Sequence, residues 1–171
     1  FKESGTALYF TFFLAILIIY LTLAAQFESF IHPLTILFTV PLAVTGALLA
    51  ILVTGNSLNL FSEIGIVMLT GLVTKNAILI VEFANQLRAR GRSLVDAAVE
   101  ASALRFRPIL MTTFSTIFGT LPIALGLGAG GEGRAPMGIA VIGGMFFSTL
   151  LTLFLVPAVF VMLERLRGRA A

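Results

Sequence analysis

The stretch GLVTKNAILIVEF, residues 71–83, sets the fold class and poses the functional problem. Most of it suits a membrane-spanning helix, yet Lys75 stands in the middle. A charge at the centre of a bilayer costs about 2.5–3.5 kcal/mol on insertion scales. A residue that expensive has to return something.

Composition agrees with a membrane setting. The 171 residues are 58% hydrophobic and only 11% charged, with mean hydropathy +1.08. Soluble domains carry about 25% charged residues, so this chain cannot cover a globular surface with polar groups. It has no cysteine, which excludes disulfides, thiolate nucleophiles and cysteine-rich zinc sites. The pI of 10.0 could suggest nucleic acid, but the basic residues flank apolar spans, where membrane topology accounts for them. No nucleic-acid partner is expected; the lipid bilayer is. The chain starts on Phe1 with a first segment too long and apolar for a signal peptide. A piece of a longer protein is expected.

A spanning helix needs about 20 mostly apolar residues. Five segments qualify, at about 6–25, 33–53, 60–84, 108–127 and 136–163. The expected fold is an all-α membrane bundle of five transmembrane helices in one partial domain, residues 1–171, plus a short amphipathic helix. That helix falls at about 93–105: Ser93-Leu-Val-Asp96 resembles a capping box, and Leu94, Ala97, Ala98, Ala101 and Leu104 recur at helical spacing. It lies along the cytoplasmic surface or simply links two spans. Pro41, Pro122 and Pro157 predict kinks. The pairs Ala140/Gly144 and Ser115/Gly119 predict close helix approach.

Orientation follows the Lys and Arg residues. Arg88, Arg90, Arg92, Arg105, Arg107, Arg165, Arg167 and Arg169 fall on one side, against Lys2 and Arg134 on the other. The first side is expected to be cytoplasmic. Five spans then put the C-terminus inside and residue 1 outside, where a large outer domain can precede it.

Little conventional chemistry is available. GLGAGGEG, residues 126–133, lacks the Lys-Ser or Lys-Thr of a phosphate loop and reads as an outer loop. His32, the only histidine, reads as part of an interfacial turn. The chain is not expected to be an enzyme. That leaves Lys75, twelve residues after Glu63 and thirteen before Arg88, or about 18–20 Å from either end of its helix. Glu82 is about 10 Å further along the axis, beyond direct pairing, and is expected near Arg88. Glu28, Glu63, Glu132 and Glu164 fall at span ends or in loops. The partner of Lys75 is therefore expected to be a carboxylate outside these residues, reached by a helix that Gly71 admits closely. Two roles stay open: a structural ion pair, or a titrating site in which protonation of the acid releases Lys75. Thr112, Thr113, Ser115 and Thr116 could extend a relay or bond back to their own helix. Arg105 and Arg107 could join it or act only as topological anchors.

GIVMLTGLVTKNAILIVEFANQLRARG, LRFRPILMTTFSTIFGTLPIALGLGAGGE and PMGIAVIGGMFFSTLLTLFLVPAVF, with LAAQFESFIHPLTILFTVPLAVTGALLA before them, resemble the resistance–nodulation–division transporters. Within them they resemble the hydrophobe/amphiphile efflux branch, the inner-membrane pumps of tripartite multidrug efflux systems. The resemblance implies helices eight to twelve of a twelve-helix transporter. It implies a proton relay in which Lys75, Thr112 and Arg105 fall on the family's lysine, threonine and arginine, their aspartate partners lying on helix four, outside this chain. It further implies proton/substrate antiport with protons as coupling ion and no other cofactor. The partners implied are the missing N-terminal half, two further copies in a homotrimer, a periplasmic adaptor protein and an outer-membrane channel. The alternative is a non-transporting helical scaffold in which Lys75 is a structural ion pair.

Overall fold

The computed structural model describes residues 2–27 and 31–170. Glu28, expected at a span end, lies outside the described residues. Six helical segments follow one another: α1 (Lys2–Phe27), α2 (Ile31–Leu37), α3 (Thr39–Val53), α4 (Leu60–Ala89), α5 (Leu94–Ala124) and α6 (Gly131–Ala170). Among the described residues there is no strand.

Among the described residues, four helical runs are long and apolar enough to cross a membrane: Tyr9–Phe27, His32–Val53, Leu60–Ala89 and Gly131–Leu166. The fifth expected span, 108–127, is helical as far as Ala124 but is shorter and less apolar than these four. It lies in α5, where Thr112, Thr113, Ser115, Thr116 and Thr120 dilute the apolar residues. α2 and α3 form one run interrupted at Phe38. Pro41 explains the break: it has no N–H for the Leu37 carbonyl, and its ring crowds that carbonyl. The Thr39 hydroxyl donates to the neighbouring Ile36 carbonyl (2.7 Å).

The local signals at helix starts are physical ones. Asn59 and Ser62 form a reciprocal capping box at α4: the Ser62 N–H donates to Asn59 Oδ1 and the Asn59 N–H to Ser62 Oγ, both at 2.9 Å. Ser93 caps α5, accepting from the Asp96 N–H at 3.2 Å. The turn between these helices needs Gly91, whose φ of +88° is left-handed.

The surface helix expected at 93–105 is not a separate element. It is the first part of α5, which runs unbroken through Pro108. The reason lies in its buried face. Ala97, Ala101, Ile109 and Thr113 are buried at steps of four or eight, so one stripe continues across the proline. Ala97, Ala98 and Ala101 pack with Ala84 and Leu87 of α4, which holds the segment against the bundle. α6 likewise stays helical through Pro157.

α6 is the central element, packed on α3, α4 and α5. Small residues make that possible, since packing rather than water exclusion holds helices together in lipid. A methyl on Gly144 would overlap the Leu69 side chain of α4 and press on the Ala43 carbonyl of α3 at 3.0 Å. The other small pair behaves differently: nothing lies within 4 Å of a methyl placed on Gly119. Two apolar cores result, one around Ala43, Leu69, Val73 and Val141, the other around Ile36, Ile80, Val81, Val156 and Phe160. α1 stands apart, with 6% of its span buried against 50% for α4. Its exposed Tyr9, Phe10, Phe13 and Ile18 suit a lipid setting, not an aqueous one.

Candidate functional site

α4 has a packed face and an open face. Leu69, Thr70, Val73, Thr74, Asn76, Ala77 and Ile80 are buried. Ile64, Met68, Gly71 and Lys75 are exposed, at steps that keep them on one side of a helix. Lys75 therefore stands halfway along α4 on its open side. It takes part in no ion pair among the described residues, which hold Arg88–Glu164, Arg92–Glu100 and a His32–Glu164 contact. A methyl on Gly71, one turn away, would meet nothing within 4 Å.

Arg105 reaches back from α5 to α4. Its guanidinium lies 4.9 Å over the Phe83 ring. Its Nε is buried and has no hydrogen-bond partner among the described residues. This contact sets the relative depth of two antiparallel helices. Lys75 is eight residues from Phe83, about 12 Å along α4, and Thr112 is seven from Arg105, about 10 Å along α5 in the same direction. Counted from this contact, Lys75 and Thr112 fall at about the same depth, with Arg105 about two turns nearer the basic end. The three expected relay residues are not in mutual contact. Lys75 and Thr112 are both exposed, and Arg105 is partly covered.

The hydroxyl cluster of α5 is split. The exposed Thr112 donates to the carbonyl of Ile109 (2.9 Å) on its own helix, and Thr116 and Thr120 do the same to Thr112 and Thr116. Thr113 is buried and shares a hydrogen bond with Thr149 of α6 at 3.0 Å. Consecutive residues differ by about 100° around a helix, so neighbours in sequence meet different surroundings.

Sequence reasoning missed one polar cluster. Arg88 was expected near Glu82; its partner is Glu164, 76 positions away, at 2.7 Å. His32 Nε2 lies 3.7 Å from the same carboxylate. The imidazole stacks on Phe160 at 5.7 Å and meets Phe27 edge-on at 5.8 Å. Helices α2, α4 and α6 are joined there. The available signal was coarse: all three residues fall at the same end of predicted spans.

An exposed lysine halfway along an apolar helix, level with an exposed threonine on the next, is a specific pattern over a long stretch of chain. The model of the AcrB/AcrD/AcrF family matches residues 1–164. The chain belongs to that family of resistance–nodulation–division efflux permeases and is a membrane transport protein.

Proposed function

We propose that the chain supplies one side of the proton relay of a proton/substrate antiporter that exports hydrophobic or amphiphilic compounds. The observation that carries this is Lys75, placed halfway along α4 on an open face without an ionic partner among the described residues. An unpaired charge at that depth is costly. A carboxylate from outside these residues, brought in over Gly71, relieves the cost. Protonating that carboxylate removes the attraction, and Lys75 then turns towards Thr112 at the same depth. Protonation state and helix position become one equilibrium, as coupled transport requires. Arg105 lies towards the basic end of the same path.

The remaining assignments follow from family membership and charge distribution. The transporter sits in the bacterial inner membrane with the basic end cytoplasmic, works as a homotrimer, and delivers substrate through an adaptor protein and an outer-membrane channel. The test is Lys75→Ala in the complete transporter. Efflux of a fluorescent amphiphilic cation should vanish while membrane-inserted, trimeric protein stays at its normal level. Retained efflux excludes the relay role; lost protein points to a structural ion pair. Thr112→Ala should lower efflux about tenfold or more, the scale of one hydrogen bond to a charged group at about 1.5–3 kcal/mol, without loss of protein.

A further inference from the structure

Resting on the relay role of Lys75 and Thr112, we infer that the buried Thr113–Thr149 hydrogen bond is a positioning contact, fixing the rotation of α5 so that Thr112 faces the Lys75 side. Thr113 and Thr149 are each 4% exposed, and their hydroxyl oxygens are 3.0 Å apart. Thr112 and Thr113 are adjacent and chemically identical. Turning α5 by one residue would put Thr112 against α6 in the place of Thr113, an identical side chain, and Met111 in the place of Thr112. Packing of these two residues alone cannot choose between the settings. The Thr149 hydroxyl holds Thr113 in the inward place, which leaves Thr112 about 100° round the helix on an exposed side.

Contacts on either side locate the bond between two anchors. Towards the basic end, Arg105 stacks on Phe83 of α4. Towards the other end, a methyl on Gly138 of α6 would press on Ala124 of α5, 2.5 Å from its backbone nitrogen. The hydroxyl pair lies between these points and is the polar side-chain link from α5 to α6 among the described residues. It is also easily exchanged. A threonine in a membrane helix has a second partner in the carbonyl of its own preceding turn, the arrangement Thr112 already adopts. Hydroxyl bonds between membrane helices are accordingly weak. Such a bond can orient a helix without freezing it, which suits an element that moves in each transport cycle.

The experiment uses the complete transporter. Thr113→Val and Thr149→Val keep side-chain volume and remove one hydroxyl each. Each should lower efflux about three- to tenfold at unchanged protein level, the range that loss of one weak interhelical bond allows. The double variant should match either single one, and Thr113→Ser should restore efflux. In a Thr112→Ala background, Thr113→Val should cost nothing further, because the residue it orients has gone. A purely structural bond would lower efflux in both backgrounds, or lower protein and efflux together; either result overturns the inference, as does wild-type efflux in both valine variants. Lys75→Ala runs alongside. If it abolishes efflux while Thr113→Val does not reduce it, the positioning role fails and the relay stands; if Lys75→Ala is silent, the relay itself fails.

Discussion

Arg88 and Lys75 sit thirteen residues apart on the same helix and meet opposite circumstances. Arg88 finds Glu164 at 2.7 Å, within a cluster that also holds His32 and two aromatic rings. Lys75 finds no carboxylate among the described residues and stands on an open face. The first charge is satisfied by this chain and joins α2, α4 and α6. The second is an unfilled demand, and it lies where a charge is most expensive. A satisfied pair fixes structure; in the proposed relay the unsatisfied charge is completed from outside and switched there.

The largest effect that tests this contrast is at Lys75. Lys75→Ala should abolish efflux and spare assembly, measured by dye efflux and by trimer content of solubilised membranes. If it removed the protein instead, the two basic residues would be alike and the comparison would collapse.

Two glycines give the next effect. Gly144 lies where α6 touches α3 and α4, whereas Gly71 faces open space. Gly144→Val should cost about 1–3 kcal/mol through overpacking and reduce the amount of folded protein. Gly71→Val should leave the fold of these helices intact and lower efflux by holding off whatever docks beside Lys75. Thermal aggregation of the detergent-solubilised protein and efflux per molecule separate the two. Equal loss of folded protein in both would mean that the open face is as structural as the packed one.

Glu164→Ala should have a smaller cost. Breaking a buried pair costs 3–5 kcal/mol, but the Arg88 side chain is 40% exposed, and exposed pairs are worth 0–1 kcal/mol. An intermediate value of about 1–2 kcal/mol is expected. It should appear as a lower unfolding temperature with efflux per molecule nearly unchanged, and the exchange Arg88→Glu with Glu164→Arg should recover part of it. A loss of efflux at normal stability would give this cluster a part in transport.

These contrasts also separate what was legible in the sequence from what was not. Lys75 could be located from spacing alone, because depth along a helix is counted in residues. The caps at Asn59 and Ser93 are local, and the Ser93 spacing announced one of them. The joining of residues 93–105 to the next span was hidden, because Pro108 reads as a stop unless the buried stripe on both sides is known to face the same neighbour. The split between Thr112 and Thr113 was equally hidden, since a hydroxyl cluster does not reveal which side of a helix is occupied. Glu164 and Arg88 are 76 positions apart, and nothing local signals such a pair.

The smallest effect is expected at Arg105, and it sharpens the contrast because Arg105 belongs to neither class. Among the described residues it is not ion-paired, as Arg88 is, nor is it as open as Lys75. It is held by the face of Phe83 at 4.9 Å, with a buried Nε that lacks a hydrogen-bond partner among the described residues. A cation over an aromatic ring contributes about 0.5–2 kcal/mol. Lysine keeps the charge but loses the planar stack and the fork of donors. Arg105→Lys should therefore lower efflux about two- to fivefold at normal protein level if the planar group matters, and Phe83→Leu should reproduce that change. If Arg105→Lys is silent while Arg105→Ala lowers efflux, charge alone is required, and Arg105 then resembles Lys75. If Arg105→Ala is silent as well, Arg105 is a topological anchor at the basic end, and the relay carried by this chain reduces to Lys75 and Thr112.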